Sequence, residues 1–210
     1  MVTGLVLVEI GALATGIYLA SLSGPIILAI GLSGMVAAVL YTAGPFPLGY
    51  HGLGDLFVFL YFGLGAVAGT CFVLSGEWTT TAFLLGIPMG ALGAAVLTVN
   101  NIRDLDTDVL VGKRTIPVRL GRPWARRYYY LLLLVPYVVV ACLVAGGDLP
   151  TLALLPFLSS PLALKLARTV AARTDGPSLN TALGQTAALL LLFGLLLAGA
   201  LLFGGVPSAA

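Results

Sequence analysis

Residues 100–115 (NNIRDLDTDVLVGKRT) hold three of the chain's eight acidic residues and three of its ten Lys and Arg. A long apolar run leads directly into them, which predicts a helix that continues for a turn or two past Val99. At helical spacing Asn100, Asp104 and Asp108 stack on one face with Asn101 beside them, while Asp106 points to the far side. Carboxylates one turn apart repel each other, and acids near a helix C-terminus oppose its macrodipole. Both costs vanish around a hard divalent cation. Mg²⁺ takes one or two carboxylates, keeps several waters and fills its remaining positions with phosphate oxygens. Lys113 and Arg114 add the positive charge that a diphosphate needs. A calcium loop does not fit, because Val109 stands where an EF-hand needs Gly and Thr115 where it needs the bidentate Glu.

The second stretch that can do chemistry is 41–55 (YTAGPFPLGYHGLGD), with two prolines for rigidity and four glycines for close backbone approach. His51, the chain's one histidine, titrates near neutrality in its unperturbed form and can exchange protons or shape the loop. Tyr41 and Tyr50 can hydrogen-bond a phosphate or a phenol, or serve as interfacial anchors. Glu9 sits inside the first apolar run, where a Ser or Thr hydroxyl is the expected partner.

The elements that must position these residues are membrane helices. The chain has 210 residues, 60% of them hydrophobic and 9% charged, with a mean hydropathy of +1.09, far from a soluble globule at about 25% charged. Seven runs are long enough to cross a bilayer, roughly 2–20, 25–43, 55–74, 79–99, 126–145, 149–167 and 182–204. The sixth is interrupted by Pro150, Pro156 and Pro161. The fold class is therefore all-α, a polytopic membrane helix bundle in one domain, 1–210. Cys71 and Cys142 lie in apolar runs and read as packing residues.

Seven of the ten Lys and Arg fall between Arg103 and Arg127 and the other three between Lys165 and Arg173. With seven spans these loops share one face, which the positive-inside rule makes cytoplasmic. The loop after the second run faces the same side. A transporter site is disfavoured, since such sites lie near the bilayer midplane and these acids sit at a span's end. A non-catalytic isoprenoid- or quinone-binding protein remains the competing class.

On two stretches the chain resembles the UbiA superfamily of intramembrane prenyltransferases: 100–121, ending in Val118, Arg119, Leu120 and Gly121, and 41–59. The first is similar to the superfamily's second Asp-rich motif. The second is similar to the branch acting on 1,4-dihydroxy-2-naphthoate in menaquinone synthesis, other branches having a Lys-bearing loop there. The resemblance implies that Asp104, Asp108 and Asn101 hold Mg²⁺ against a polyprenyl diphosphate. Arg103, Lys113, Arg114 and Asn100 would bind the diphosphate, with Asp104, Asp108 and Lys113 as the catalytic set. An allylic carbocation is then attacked by a ring carbon of the naphthoate, which loses its carboxylate. Tyr41, Tyr50 and His51 would hold that acceptor, and the prenyl tail would lie in an apolar cleft open to lipid. Another aromatic acceptor is the alternative. The partners implied are polyprenyl diphosphate, dihydroxynaphthoate and the lipid bilayer of the cell's inner (plasma) membrane, with no nucleic acid. Members of the family have nine spans and an earlier Asn/Asp-x-x-x-Asp motif. This chain starts at what would be the third span, so it is expected to be a fragment lacking two helices and half of the metal–diphosphate site, inactive alone.

Overall fold

A computed structural model describes residues 2–42 and 47–205; the loop residues 43–46, which include Gly44 and Pro45, lie outside the described residues. Every regular element among them is helical. Helices α1 (Val2–Ser23) and α2 (Pro25–Thr42) form an antiparallel pair turned at Gly24, whose φ of 90° suits a residue without Cβ. A 3₁₀ turn (Leu48–His51) leads to α3 (Gly54–Val58), a π-helical segment (Phe59–Gly65) and α4 (Ala66–Ser75), one continuous apolar path. Then come α5 (Thr80–Arg103), α6 (Leu105–Leu110) and α7 (Ile116–Ala145). A 3₁₀ segment (Thr151–Ser159) runs into α8 (Ser160–Ala172), and α9 (Gly176–Gly204) completes the bundle.

Helix α5 is the axis of the bundle, packed against α7, α9 and the 54–75 segment. Small residues let it be buried. Gly63 at the π segment rests against Gly86 and Gly90 of α5, so close that a Cβ on Gly63 would lie 2.5 Å from Gly90 Cα. Such small-residue contacts take the place of a water-driven hydrophobic force between helices in lipid. Two hydroxyl pairs are buried in the α7 side of the core: Tyr129 Oη and Thr186 Oγ1 at 2.9 Å, and Tyr137 Oη and Ser159 Oγ at 2.8 Å. The outer surface is apolar, with Leu74, Leu202 and Phe203 about four-fifths exposed, which is tolerable in lipid and not in water.

Among the described residues five helices are long and apolar enough to cross a membrane: Val6–Ser23, Gly54–Ser75, Thr80–Arg103, Ile116–Ala145 and Gly176–Gly204. The other two expected spans differ in form. Pro25–Tyr41 is apolar but shorter. In the sixth run the prolines remove α-type hydrogen bonds, and residues 151–159 wind as 3₁₀ before α8 begins at Ser160. At about 2.0 Å per residue for 3₁₀ and 1.5 Å for α, this path still extends roughly 37 Å. The chain is a multi-pass membrane bundle. Its basic loops meet at one end, where Arg126 Nη2 donates to the Arg173 carbonyl at 2.8 Å. Cys71 and Cys142 are free. The hydroxyl partner expected for Glu9 is not among the described contacts; Glu9 lines an open apolar groove together with Leu13, Met35 and Val39.

The glycine contact carries the first prediction. Gly63→Ala should destabilise the bundle by about 1–3 kcal/mol through overpacking. Gly69→Ala, whose Cβ meets nothing within 4 Å, should not. Thermal unfolding of both variants in detergent checks this, and equal midpoints would show that the α5 contact yields without cost.

Candidate active site at the basic end

Helix α5 does not run on as one face. Asp104, at φ −90° and ψ 5°, ends it, and α6 restarts one residue later at a changed angle. The four-residue spacing survives the bend, because Asp104 N donates to Asn100 O at 3.0 Å and Asp108 N to Asp104 O at 2.8 Å. Asp106 does point away: it is 81% exposed and meets Arg122 Nη2 at 3.0 Å.

Each of the other two aspartates already has a cation. Arg103 grips Asp104 through two bonds, Nε to Oδ1 at 2.7 Å and Nη2 to Oδ2 at 2.8 Å. The same guanidinium donates to Asn100 Oδ1 at 2.9 Å and to Asn180 Oδ1 of α9 at 2.8 Å. Arg103 thus braces the acidic corner against a second helix and, in this structure, spends its donors on the protein. Its hydrogen bonds hold the Asp104 carboxyl below the usual carboxylate range. That stabilisation is present above the ordinary carboxylate pKa and fades as pH falls through the lowered value. Asp108 is buried at 3% exposure and paired with Lys113 Nζ at 2.8 Å. The Asp108 bond, chiefly, raises the Lys113 pKa, and Asp104 adds to it, so the ammonium feels both carboxylates. Asn101 is buried beside them.

Residues 47–54 lie directly against this cluster. Arg114 N donates to Tyr50 O at 2.7 Å, Arg119 Nε to Arg114 O at 2.9 Å, and Arg119 Nη2 to His51 O at 2.8 Å. Gly52, at φ 73°, leaves no room for a Cβ, which would sit 2.6 Å from Arg114 O. Lys113 Nζ stands 5.6 Å from the centroid of the Tyr50 ring. Tyr41 reaches back under the turn with its hydroxyl against Gly54 and lies within electrostatic reach of Asp55, Lys113 and Asp108. The structure therefore brings Asp104, Asp108, Lys113, Tyr50 and Tyr41 together. Arg114 joins through its backbone while its side chain is exposed. The His51 ring is engaged within its own turn, Nδ1 lying 2.9 Å from Pro47 O.

Sequence reasoning missed four contributors. Arg119 and Arg122 pin the loop and α6 from either side of Gly121, whose φ of 80° breaks α7 after its first turn. Asn180 orients Arg103, a pairing across 77 residues with no local signal. Asp55 belongs to the first turn of α3, buried at 4% exposure and bonded to Thr98 Oγ1 at 3.1 Å. An acid at the head of an apolar run was the signal for it.

Among the described residues no group of three His, Cys, Asp or Glu gathers. The donor set fits Mg²⁺ in one manner: two hard carboxylates, with water and diphosphate oxygens completing the shell. The Thr115 hydroxyl, buried next to Arg114, has no partner among the described residues.

The model of the UbiA prenyltransferase family matches residues 2–182. The chain is 37% identical over 197 residues to the 1,4-dihydroxy-2-naphthoate octaprenyltransferase of Mycobacterium tuberculosis, covering 93% of this chain and 65% of that protein. It is 34% identical over 190 residues to that of Mycobacterium leprae, covering 90% and 64%. With that of Bacillus subtilis the identity is 30% over 191 residues, covering 91% and 61%. The chain spans less than two thirds of the length of these relatives.

Gly52→Ala should cost about 2 kcal/mol through a left-handed backbone and the clash with Arg114 O. It should also speed hydrogen exchange of the Arg114 amide by roughly tenfold. Unchanged protection of that amide would mean that the loop is held elsewhere.

Proposed function

Because the chain belongs to the UbiA prenyltransferase family, we propose that it serves transfer of a polyprenyl group from its diphosphate to 1,4-dihydroxy-2-naphthoate, the step that with loss of pyrophosphate and carbon dioxide gives demethylmenaquinol, the reduced form of demethylmenaquinone. The observation that carries this reading is the backbone clamp between Tyr50 and Arg114. It fastens an aromatic loop to a cluster of two aspartates and a lysine. One end of a membrane bundle thus offers anion-handling groups and phenols side by side.

Asp104 and Asp108 would hold Mg²⁺, which when bound supplies the positive charge that stabilises pyrophosphate as it leaves. Lys113 is held on Asp108 and stays charged at neutral pH, available to swing onto a phosphate oxygen once a cation relieves Asp108. Arg103 keeps Asp104 oriented, and Asn100 and Asn101 offer amides beside it. Arg114 stands exposed at the rim, where it can meet an arriving diphosphate. Tyr41 and Tyr50 take the acceptor side, with His51 shaping the turn. A cavity of about 480 Å³ opens at Tyr41 between α2 and the 54–65 segment, lined by Gly34, Ala37, Phe57, Tyr61 and Phe62. Its lining is apolar, as a prenyl chain requires. We treat 1–210 as one membrane domain, with the basic end facing the cytoplasm across the plasma membrane.

The test uses membranes containing the protein, with and without an N-terminal part carrying the earlier Asn/Asp-x-x-x-Asp motif, together with Mg²⁺, a polyprenyl diphosphate and dihydroxynaphthoate, and prenylated product is followed by mass in the form that turns over. Asp104→Ala and Asp108→Asn should each lower the rate by about 10²–10³-fold, the scale of losing one charge-stabilising group. Chelating the metal should abolish turnover. Activity indifferent to both variants would remove this cluster from the reaction.

A further inference from the structure

Asp55 is a buried acid that the reading above leaves without a task. It sits in the first turn of α3 against Thr98 of α5, at 4% exposure, and none of the ion pairs among the described residues includes it. A buried carboxylate normally takes several hydrogen bonds. This one accepts from its own backbone amide and from the Thr98 hydroxyl at 3.1 Å, and that hydroxyl also points at Ala94 O, 2.9 Å away. One hydroxyl proton cannot serve both acceptors fully. The Tyr41 hydroxyl lies against Gly54, the residue before Asp55. Tyr41 interacts electrostatically with Asp55 and with Lys113 and Asp108 of the anion-handling cluster, and it lines the apolar cavity between α2 and the 54–65 segment.

We propose that Asp55, steadied by Thr98 at the turn that the Tyr41 hydroxyl packs against, accepts the hydrogen bond of a ring hydroxyl on the aromatic acceptor. This deepens the function proposed above and rests on it. A carboxylate and a phenolic O–H make a short, charge-assisted bond, about twice as strong as a neutral one. Held in that way, the acceptor keeps one hydroxyl on Asp55 and presents its ring toward the diphosphate cluster. Electron density pushed into the ring by the hydrogen bond favours attack by carbon on an allylic cation. Asp55 would thus select hydroxyarenes over their ethers, because an ether leaves the carboxylate buried and under-bonded.

The protein in lipid nanodiscs with Mg²⁺ is titrated with 1,4-dihydroxy-2-naphthoate, with its 1,4-dimethyl ether, and separately with farnesyl thiodiphosphate, each followed by intrinsic fluorescence. The wild type should bind the diol at least tenfold more tightly than the ether, and Asp55→Asn should lose about tenfold in diol affinity, the difference between a charged and a neutral hydrogen bond. Its thiodiphosphate affinity and unfolding midpoint should be unchanged. Thr98→Val, which leaves the carboxylate but frees it to turn, should weaken diol binding by a smaller factor. A folded Asp55→Asn that binds the diol like the wild type overturns the proposal. Should Asp55→Asn fail to fold, the wild type decides, since equal affinity for diol and ether overturns it and a tenfold preference supports it. Diol preference without thiodiphosphate binding would sink the prenyl-transfer reading and leave the role of Asp55 intact. Thiodiphosphate binding with neither aromatic would do the reverse.

Discussion

The charge of Asp108, buried in the short helix α6, is compensated by the part-exposed Lys113 ammonium at 2.8 Å. Much of the basic end follows from it. Lys113 must turn back toward α6, so residues 111–114 fold over the helix end, with Gly112 in the left-handed region and Lys113 N bonded to Asp108 O at 3.0 Å. That reversal exposes the Arg114 backbone to the aromatic loop. The loop is then fixed by main-chain bonds, which depend on shape more than on side-chain identity.

The two aspartates are satisfied differently, and the difference bears on function. Asp104 is held by a planar fork whose remaining donors reach Asn100 and Asn180, a rigid arrangement tied to two helices. Asp108 is held by a flexible ammonium over the Tyr50 ring. A dication entering between them competes easily with a lysine that has a second anion to go to, and poorly with a bidentate arginine. The corner therefore has a fixed wall and a movable one. On the proposed function, binding a metal–diphosphate would exchange one ion pair for another.

Beneath this polar end the bundle is held by steric closeness. Gly63, Gly86 and Gly90 bring the π segment onto α5, and that approach sets the first turn of α3, hence Asp55, against Thr98. A π segment near a functional site is a recurrent device, because the extra residue per turn shifts the following side chains around the helix.

Much of this was legible in the sequence for reasons local to it. Apolar runs of bilayer length fix where helices form, segregation of Lys and Arg fixes which loops share a side, and the four-residue spacing of Asn100, Asp104 and Asp108 survives a bend because the i to i−4 hydrogen bonds continue through it. Periodicity did not foretell the 3₁₀ path through residues 151–159, where backbone donors lost at proline change the helix type but not its hydropathy. Only the tertiary structure decided the rest. Residue types mark charges, but which charge meets which depends on chain reversals and on helices far apart in sequence. So Arg103 bonds Asp104 and Asn180, and the Arg114 backbone clamps the aromatic loop while its side chain stands exposed. Asp55, which the sequence set in a loop, is buried in a helix turn because the packing of α3 on α5 carries it there.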